Sequence, residues 1–322
     1  ATANWNNGEG FNPIGSWTSP FEGTFDGLGH VITGLTVNRP TQDNIGLFGS
    51  TDSAMLRGIG LREINITGRN YVGGLVAVAA NSNIAASYAT GRVTGNYSVS
   101  GLVGVAFRSD IAASYATGQV TGNNYVGGLV GDAFRSNIAA SYATGQVTGG
   151  TGTAGGLVGN ANDSDIAASY ATGQVTGNNY VGGLVGNALN INIAASYATG
   201  QVTGNHFVGG LVGWNGGDIS HSHWDVESTE QSSAVGGGTG SQTNVTSIDA
   251  ANRYTPTGYA HLGEWSETAS GSGNWIAADA AGNPQWVMLA GSTRPFLYSE
   301  YSTTITNAHQ LQLMALDLNA DY

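Results

Sequence analysis

The stretch SYATGQVTGNNYVGGLVG, Ser114–Gly131, decides the fold, because close copies of its opening also begin at Ser87, Ser141, Ser169 and Ser196. Aligned on the tyrosine, the copies place Tyr88, Tyr115, Tyr142, Tyr170 and Tyr197 at steps of 27, 27, 28 and 27 residues. Aligned on the leucine of GGLVG, they place Leu75, Leu102, Leu129, Leu157, Leu184 and Leu211, and NIGLFG carries that row back to Leu47. Seven rungs are visible in this way. Leu61 and His223 lie about one period outside the tyrosine row, as expected where terminal repeats change their outer face.

The unit is rich in Val, Thr, Tyr and Ile and is interrupted by Gly118, Gly122, Gly127, Gly128 and Gly131, which no stable helix tolerates. Short strands joined by tight turns fit, and a period near 27 suits one coil of a three-sided parallel β-solenoid. In such a coil each residue lies about 4.8 Å above its counterpart, so a residue that packs well on itself is favoured in every rung. The row Asn83, Asp110, Asn137, Asp165, Asn192 and Asp218 reads as a polar corner, and the isoleucine after each as a core ladder. Gln119 and its counterparts should be solvated and the Val120 row buried; counting back by twos along an unbroken strand then points the tyrosines outward, whereas a bend at the intervening TG would turn them inward. The one 28-residue step falls at 148–156, in a turn, where a solenoid absorbs an insertion.

Composition removes several classes of function. With 52 Gly, nine Arg, no Lys and a net charge of -12, the chain lacks the basic stripe that nucleic acid or an anionic membrane surface requires. Zero Cys excludes thiol catalysis, iron–sulfur clusters and Cys-zinc sites. No apolar run approaches the roughly 18 residues of a membrane span, and the opening ATANWNNGEG has no leader pattern, so direct membrane insertion is not expected.

Three segments are expected: entry rungs over 1–43, the repeat solenoid over 44–225, and an irregular segment over 226–322. In the last, STEQSSAVGGGTGSQTN reads as a loop by composition, and NWIAADAAGNPQWVML as a hairpin turning at Gly282, Asn283 and Pro284. Leu311, Met314, Ala315 and Leu318 follow at helical spacing, with Thr306 or Asn307 as the cap.

Candidate chemistry is sparse. His221, His223 and Asp225 of HSHWD alternate along one strand face, which suits a divalent ion, but the spacing arises easily by chance and the reading adopted is a degenerate last rung in which His223 replaces Tyr. Arg108, Asp110, Asp132 and Arg135 are the nearest approach to the acid and base cluster of a polysaccharide lyase or hydrolase, and they also fit a solvated corner. GGGTGSQT lacks the lysine and helix of a phosphate loop. The Thr117 and Thr121 rows raise an ice- or mineral-binding face, although their spacing is i, i+4 rather than i, i+2. The row Tyr88, Tyr115, Tyr142, Tyr170 and Tyr197 is the strongest ligand-binding candidate, since aromatic faces in register can stack on sugar rings. No metal site and no cofactor is assigned.

GGLVG followed by SYATGQVTG resembles the GLUG repeat family of large bacterial surface and secreted proteins, which includes filamentous-haemagglutinin-like adhesins. The likeness covers roughly 44–225, with FEGTFDGLGHVITGLTV similar to the usual lead-in and HWDVEST to the usual exit. It implies an extracellular right-handed parallel β-helix that acts as a stalk, adhesive surface or passenger segment, without catalytic residues. The expected partners are a glycan or a host or abiotic surface. Head-to-tail association, as a filament or as tandem units of a longer chain, would cover the strand edges at the two poles.

Overall fold

The structure, a computed structural model, describes residues 2–305 and 307–321. Its body is a parallel β-solenoid of about eight turns. One turn shows how the sequence makes a rung. Tyr97–Ser100 leads into Val103–Phe107, then Asp110–Ala112, Tyr115–Ala116 and Gln119–Thr121, after which Asn124–Gly127 begins the next turn. Each strand pairs in parallel with its own copy one period on: Val103 with Val130, Asp110 with Asn137, Tyr115 with Tyr142 and Val120 with Val147.

Alternation sorts the side chains. Ala116 and Val120 point inward and are buried, while Tyr115 and Gln119 leave the solenoid core. The leucine, isoleucine and valine rows fill the interior, with Leu102, Leu129, Leu157, Leu184 and Leu211 each at 0% exposure. Each such side chain contributes about 1.5–3 kcal/mol through burial. The glycine pair before each leucine is there for space: a Cβ on Gly127 would lie 1.9 Å from the Val130 carbonyl oxygen, and one on Gly128 would lie 2.1 Å from that of Gly156.

The corners are built differently from the expectation. The Asn/Asp row begins a short strand rather than a corner, and its outward amides and carboxylates bond along the axis, Asn137 Nδ2 donating to Asp110 Oδ1 at 2.8 Å. Corners fall instead at left-handed, non-glycine residues such as Arg108, Ala113 and Tyr125, with φ of 50°, 47° and 53°. A left-handed alanine costs about 1–2 kcal/mol. The buried serine that follows offsets part of it: the Ser114 amide donates to Ser141 Oγ at 3.2 Å, and Ser114 Oγ donates to the Ala112 carbonyl at 2.8 Å. This serine ladder runs from Ser87 to Ser222.

Before 44, Thr24–Asp26 pairs in parallel with Met55–Arg57 and Thr36–Asn38 with part of Gly60–Thr67, while the chain ahead of them opens with a 3-10 turn at Asn6–Gly8 and an antiparallel bridge from Gly10 to Val37. In this register Tyr88 lies opposite Gly60 rather than Leu61, because Leu61 is needed in the core. The boundary at 225 moves. Val235–Gly238, Ser241–Thr243 and Thr246–Ile248 form one more parallel rung on Val212–Ser220 and His223–Asp225. Its step is 23 residues, from Val212 to Val235, and its strands are half glycine and serine, so neither period nor hydrophobicity marked it.

Beyond Ile248 the chain folds back as a four-stranded antiparallel sheet of Glu264–Glu267, Asn274–Ala278, Pro284–Leu289 and Phe296–Leu297. The expected hairpin is present; its turn is closed by the Asp279 carboxylate, which accepts from the amides of Ala281 and Asn283, with Gly282 at φ 85°. The helix is Ala308–Leu313, capped by Asn307, whose side chain accepts from the Gln310 amide at 2.9 Å; Thr306 lies outside the described residues. Its buried residue is Leu313, whereas Leu311 and Leu318 are 60% and 81% exposed, so the expected apolar face is not the docked one. Among the described residues no helix is long and apolar enough to cross a membrane.

Candidate functional site

Tyr88, Tyr115, Tyr142, Tyr170 and Tyr197 form one stack, with successive ring centroids 4.7, 4.8, 4.9 and 5.0 Å apart and planes within 5° of parallel. The rung spacing imposes this face-to-face geometry, which isolated rings would offset. The rings leave the solenoid, as strand alternation requires, but most of the ladder is not free surface. The C-terminal sheet lies over it: Tyr142, Tyr170 and Tyr197 are 4%, 1% and 1% exposed and pack with Tyr259, Leu262, Trp286 and Met288. Trp286 sits 5.5 Å from Tyr197 and 6.1 Å from Tyr170.

The buried phenols are satisfied by the covering module. Tyr170 donates to Glu300 Oε1 at 2.9 Å, Glu300 also contacts His309 Nδ1 at 2.6 Å, and Tyr197 donates to the Pro295 carbonyl at 2.5 Å. Burial, and after it the charge of Glu300, raises Tyr142 and Tyr170 far above the ordinary phenol range. Tyr88 and Tyr115 remain half-buried and, with Arg62, Asn307 and His309, line a recess of about 300 Å³ at the ladder's uncovered end. Burial pushes Tyr115 up to about 12. Of the five tyrosines read as ligand-binding, three therefore serve as the internal seat of a second module.

The HSHWD strand anchors that module. His223 takes the tyrosine position in the last full rung, opposite Tyr197, and is fully buried with Nδ1 2.8 Å from Thr246 Oγ1. Burial first, and then His261, lowers it to about 4. Asp225 is also fully buried; it caps Val226–Thr229 and meets Arg294 at 2.6 Å and Arg253 at 3.4 Å. Burial works to raise its carboxyl, but the Ser228 amide and the two guanidiniums outweigh it and hold the carboxyl below 3.8. His221 turns away to Asn244. Among the described residues no group of three or more His, Cys, Asp and Glu is placed to hold a metal ion.

The other candidates disperse. Arg108 and Arg135 lie over the rings of Phe107 and Phe134, at 5.1 and 5.0 Å, Asp110 bonds Asn137, and Asp132 accepts from Asn160 at 2.7 Å, so the four do not converge. Between the Thr117 and Thr121 rows runs a Gln ladder, Gln119 donating to Gln146 at 2.9 Å and Gln174 to Gln201 at 2.7 Å. That row interrupts any threonine array.

A second aromatic row escaped the sequence reading. The corner before the repeated leucine carries Tyr71, Tyr125, Tyr180 and Phe207, each left-handed, while Ser98 and, in the copy with the insertion, Thr153 stand in that row without a ring. Where Ser98 replaces the ring, Tyr97 fills in from the neighbouring position, and a groove of about 640 Å³ opens between Tyr71, Tyr97, Phe107, Asp132 and the exposed Trp17. The signal was available, because an aromatic residue recurs at this position in four of the six copies, three times as NYVGG and once as HFVGG.

Against this geometry, the likenesses to known proteins are informative about the repeats. Residues 68–94, 122–148 and 177–203 match the GLUG motif. Halomucin of Haloquadratum walsbyi is 40% identical over 95 residues, which is 28% of this chain and 1% of that protein, so the chain spans a very small part of the relative it matches. A Bacteroides ovatus protein provisionally described as an immunoglobulin A1 protease aligns over 85% of this chain and 77% of its own, at 17% identity and a TM-score of 0.49. At that score the likeness bears on neither fold nor activity. The chain is a β-solenoid that carries three GLUG motif repeats.

Proposed function

We propose that this chain is a non-catalytic structural and adhesive segment of an extracellular or cell-surface protein. The observation that carries this reading is the parallel pairing of strands with their own copies one turn on, from Thr24–Asp26 on Met55–Arg57 in one sheet to Thr246–Ile248 on His223–Asp225 in another, with register shifts at Ala89/Gly91 and Leu189/Asn192, so that each rung is a template for the next. Such a body is stiff along its axis and holds its outer rows at fixed spacing, which suits a spacer that presents binding faces. The GLUG repeats, the similarity to halomucin and the acidic, lysine-free surface support the extracellular assignment. Adhesion then falls to faces that the C-terminal module leaves free, namely the Tyr88 end of the ladder and the Tyr71 row.

Two assays on the purified chain test this together. Pulling single molecules from both ends should show high-force unfolding, and incubation with neutral and acidic polysaccharides and with polypeptides should give no cleavage. Turnover that disappears on changing Asp132 or Glu300 to the amide would overturn the reading in favour of an enzyme.

A further inference from the structure

We infer that the groove beneath Trp17 is a carbohydrate site for neutral or amino-bearing pyranose oligosaccharides. This deepens the adhesive reading above by naming where a ligand binds and of what class. Three independent features point to it.

The first is Trp17 itself. It is 72% exposed, yet it is not at the end of a loose loop. It occupies the turn Ser16–Ser19, closed by the Ser19 amide donating to the Ser16 carbonyl, and both arms are fixed to the first rungs by bridges from Ile14 to Phe48 and from Phe21 to Thr51. A lone exposed ring would be ordinary, but Trp17 stands over Tyr71, Tyr97 and Phe107 and makes with them one contiguous apolar surface, the kind that marks a ligand site.

The second is the lining. Tyr71 and Tyr97 meet edge to face at 6.1 Å, and Val78, Val105 and Phe107 form an apolar floor. The C–H face of a pyranose stacks on such rings, while its rim of hydroxyls needs acceptors at the edge. The volume, about 640 Å³, is that of a small-molecule site.

The third is charge. The carboxylates at the groove are Asp43, already held by Arg69 at 2.7 Å, and Asp132, whose contact is the neutral Asn160 amide at 2.7 Å. Burial raises the Asp132 carboxyl. Asp132 thus offers an acceptor to hydroxyl or ammonium donors at the end of an amide ladder, Asn187 to Asn160 to Asp132. No cation among the lining residues would welcome a uronate or sulfate.

The test is titration of the full chain with neutral, amino-bearing and uronate-bearing oligosaccharides, read by calorimetry and by the change in tryptophan fluorescence, with Trp17→Ala showing which part of that change belongs to Trp17 among the seven tryptophans. Neutral and amino sugars should bind, and the uronate series should bind at least tenfold more weakly. Trp17→Ala, at an exposed position that leaves the fold intact, should weaken binding about tenfold, and Asp132→Asn, which continues the amide row, by a similar factor. Absence of binding across the panel, equal retention of uronates, or affinity unchanged in both variants would overturn the inference. None of these outcomes would alter the pulling and cleavage results, so failure of this site and failure of the structural reading are distinguishable.

Discussion

Replacing Tyr170 by alanine should release the C-terminal module while leaving the solenoid folded. The ring is 1% exposed, stacks on Tyr142 and Tyr197 at 4.9 and 5.0 Å, faces Trp286, and donates to the buried Glu300 carboxylate. Removing a buried aromatic side chain costs about 3–5 kcal/mol. Two lost stacks, at about 0.5–1.5 kcal/mol each, lie within that figure rather than adding to it. Tyr170→Phe separates the parts: it keeps both stacks and loses the charged hydrogen bond, for about 1.5–3 kcal/mol. Tyr88→Ala is the control, a half-buried ring with one stacked neighbour at the uncovered end, expected to cost about 1 kcal/mol. The assay is hydrogen exchange through a urea series, comparing peptides from 274–289 with peptides from the solenoid. In Tyr170→Ala the 274–289 amides should exchange at lower urea, with Val130 and Val158 still protected. Equal effects of Tyr170→Ala and Tyr88→Ala, or simultaneous loss of both regions, would refute the docking argument.

Three further outcomes follow from the geometry. Deleting 115–141, one whole period, joins equivalent positions and should leave a shorter folded solenoid, whereas deleting 13 residues should not; circular dichroism distinguishes them. Gly128→Ala should destabilise by about 1–3 kcal/mol or more, because its Cβ has backbone within 2.1 Å, and thermal melting would show this. Acid should loosen the module in two steps. His223, lowered to about 4, contributes stability that is complete above 6.5 and is lost as pH falls toward 4, an effect of at most about 3 kcal/mol; Asp225, held below 3.8, adds a loss only at lower pH. An opening free energy for 274–289, from exchange corrected for the intrinsic rate at each pH, that is flat between pH 7 and 4 would contradict the first step.

The solenoid was legible because each rung is stacked on its own copy, so the periods of Tyr115, Leu129 and Ile111 carry the same information three times. The corners were less so. Turn reading looks for Gly and Asn, whereas Ala113 and Arg108 turn here in the left-handed region, and the buried Ser114 and Ser109 that steady them look like ordinary polar residues. The fate of the tyrosines could not be read from the repeat at all. Alternation along one strand gives the direction of Tyr170, outward, but what meets it is Trp286 and Glu300, more than a hundred residues away and without any periodic signal. The last rung at Val235 was hidden by its shortened step, and the Trp17 groove by a local departure from the repeat, Ser98 in place of the corner aromatic.

The tyrosine ladder is an internal track on which the C-terminal module sits. Chemical nitration of the native chain, with the extent at each tyrosine read by mass spectrometry, tests it most directly. Tyr88 should react readily and Tyr115 partly, while Tyr142, Tyr170 and Tyr197 stay unmodified until the module is released by urea or by Tyr170→Ala. Uniform nitration of all five tyrosines in the native chain would contradict the claim.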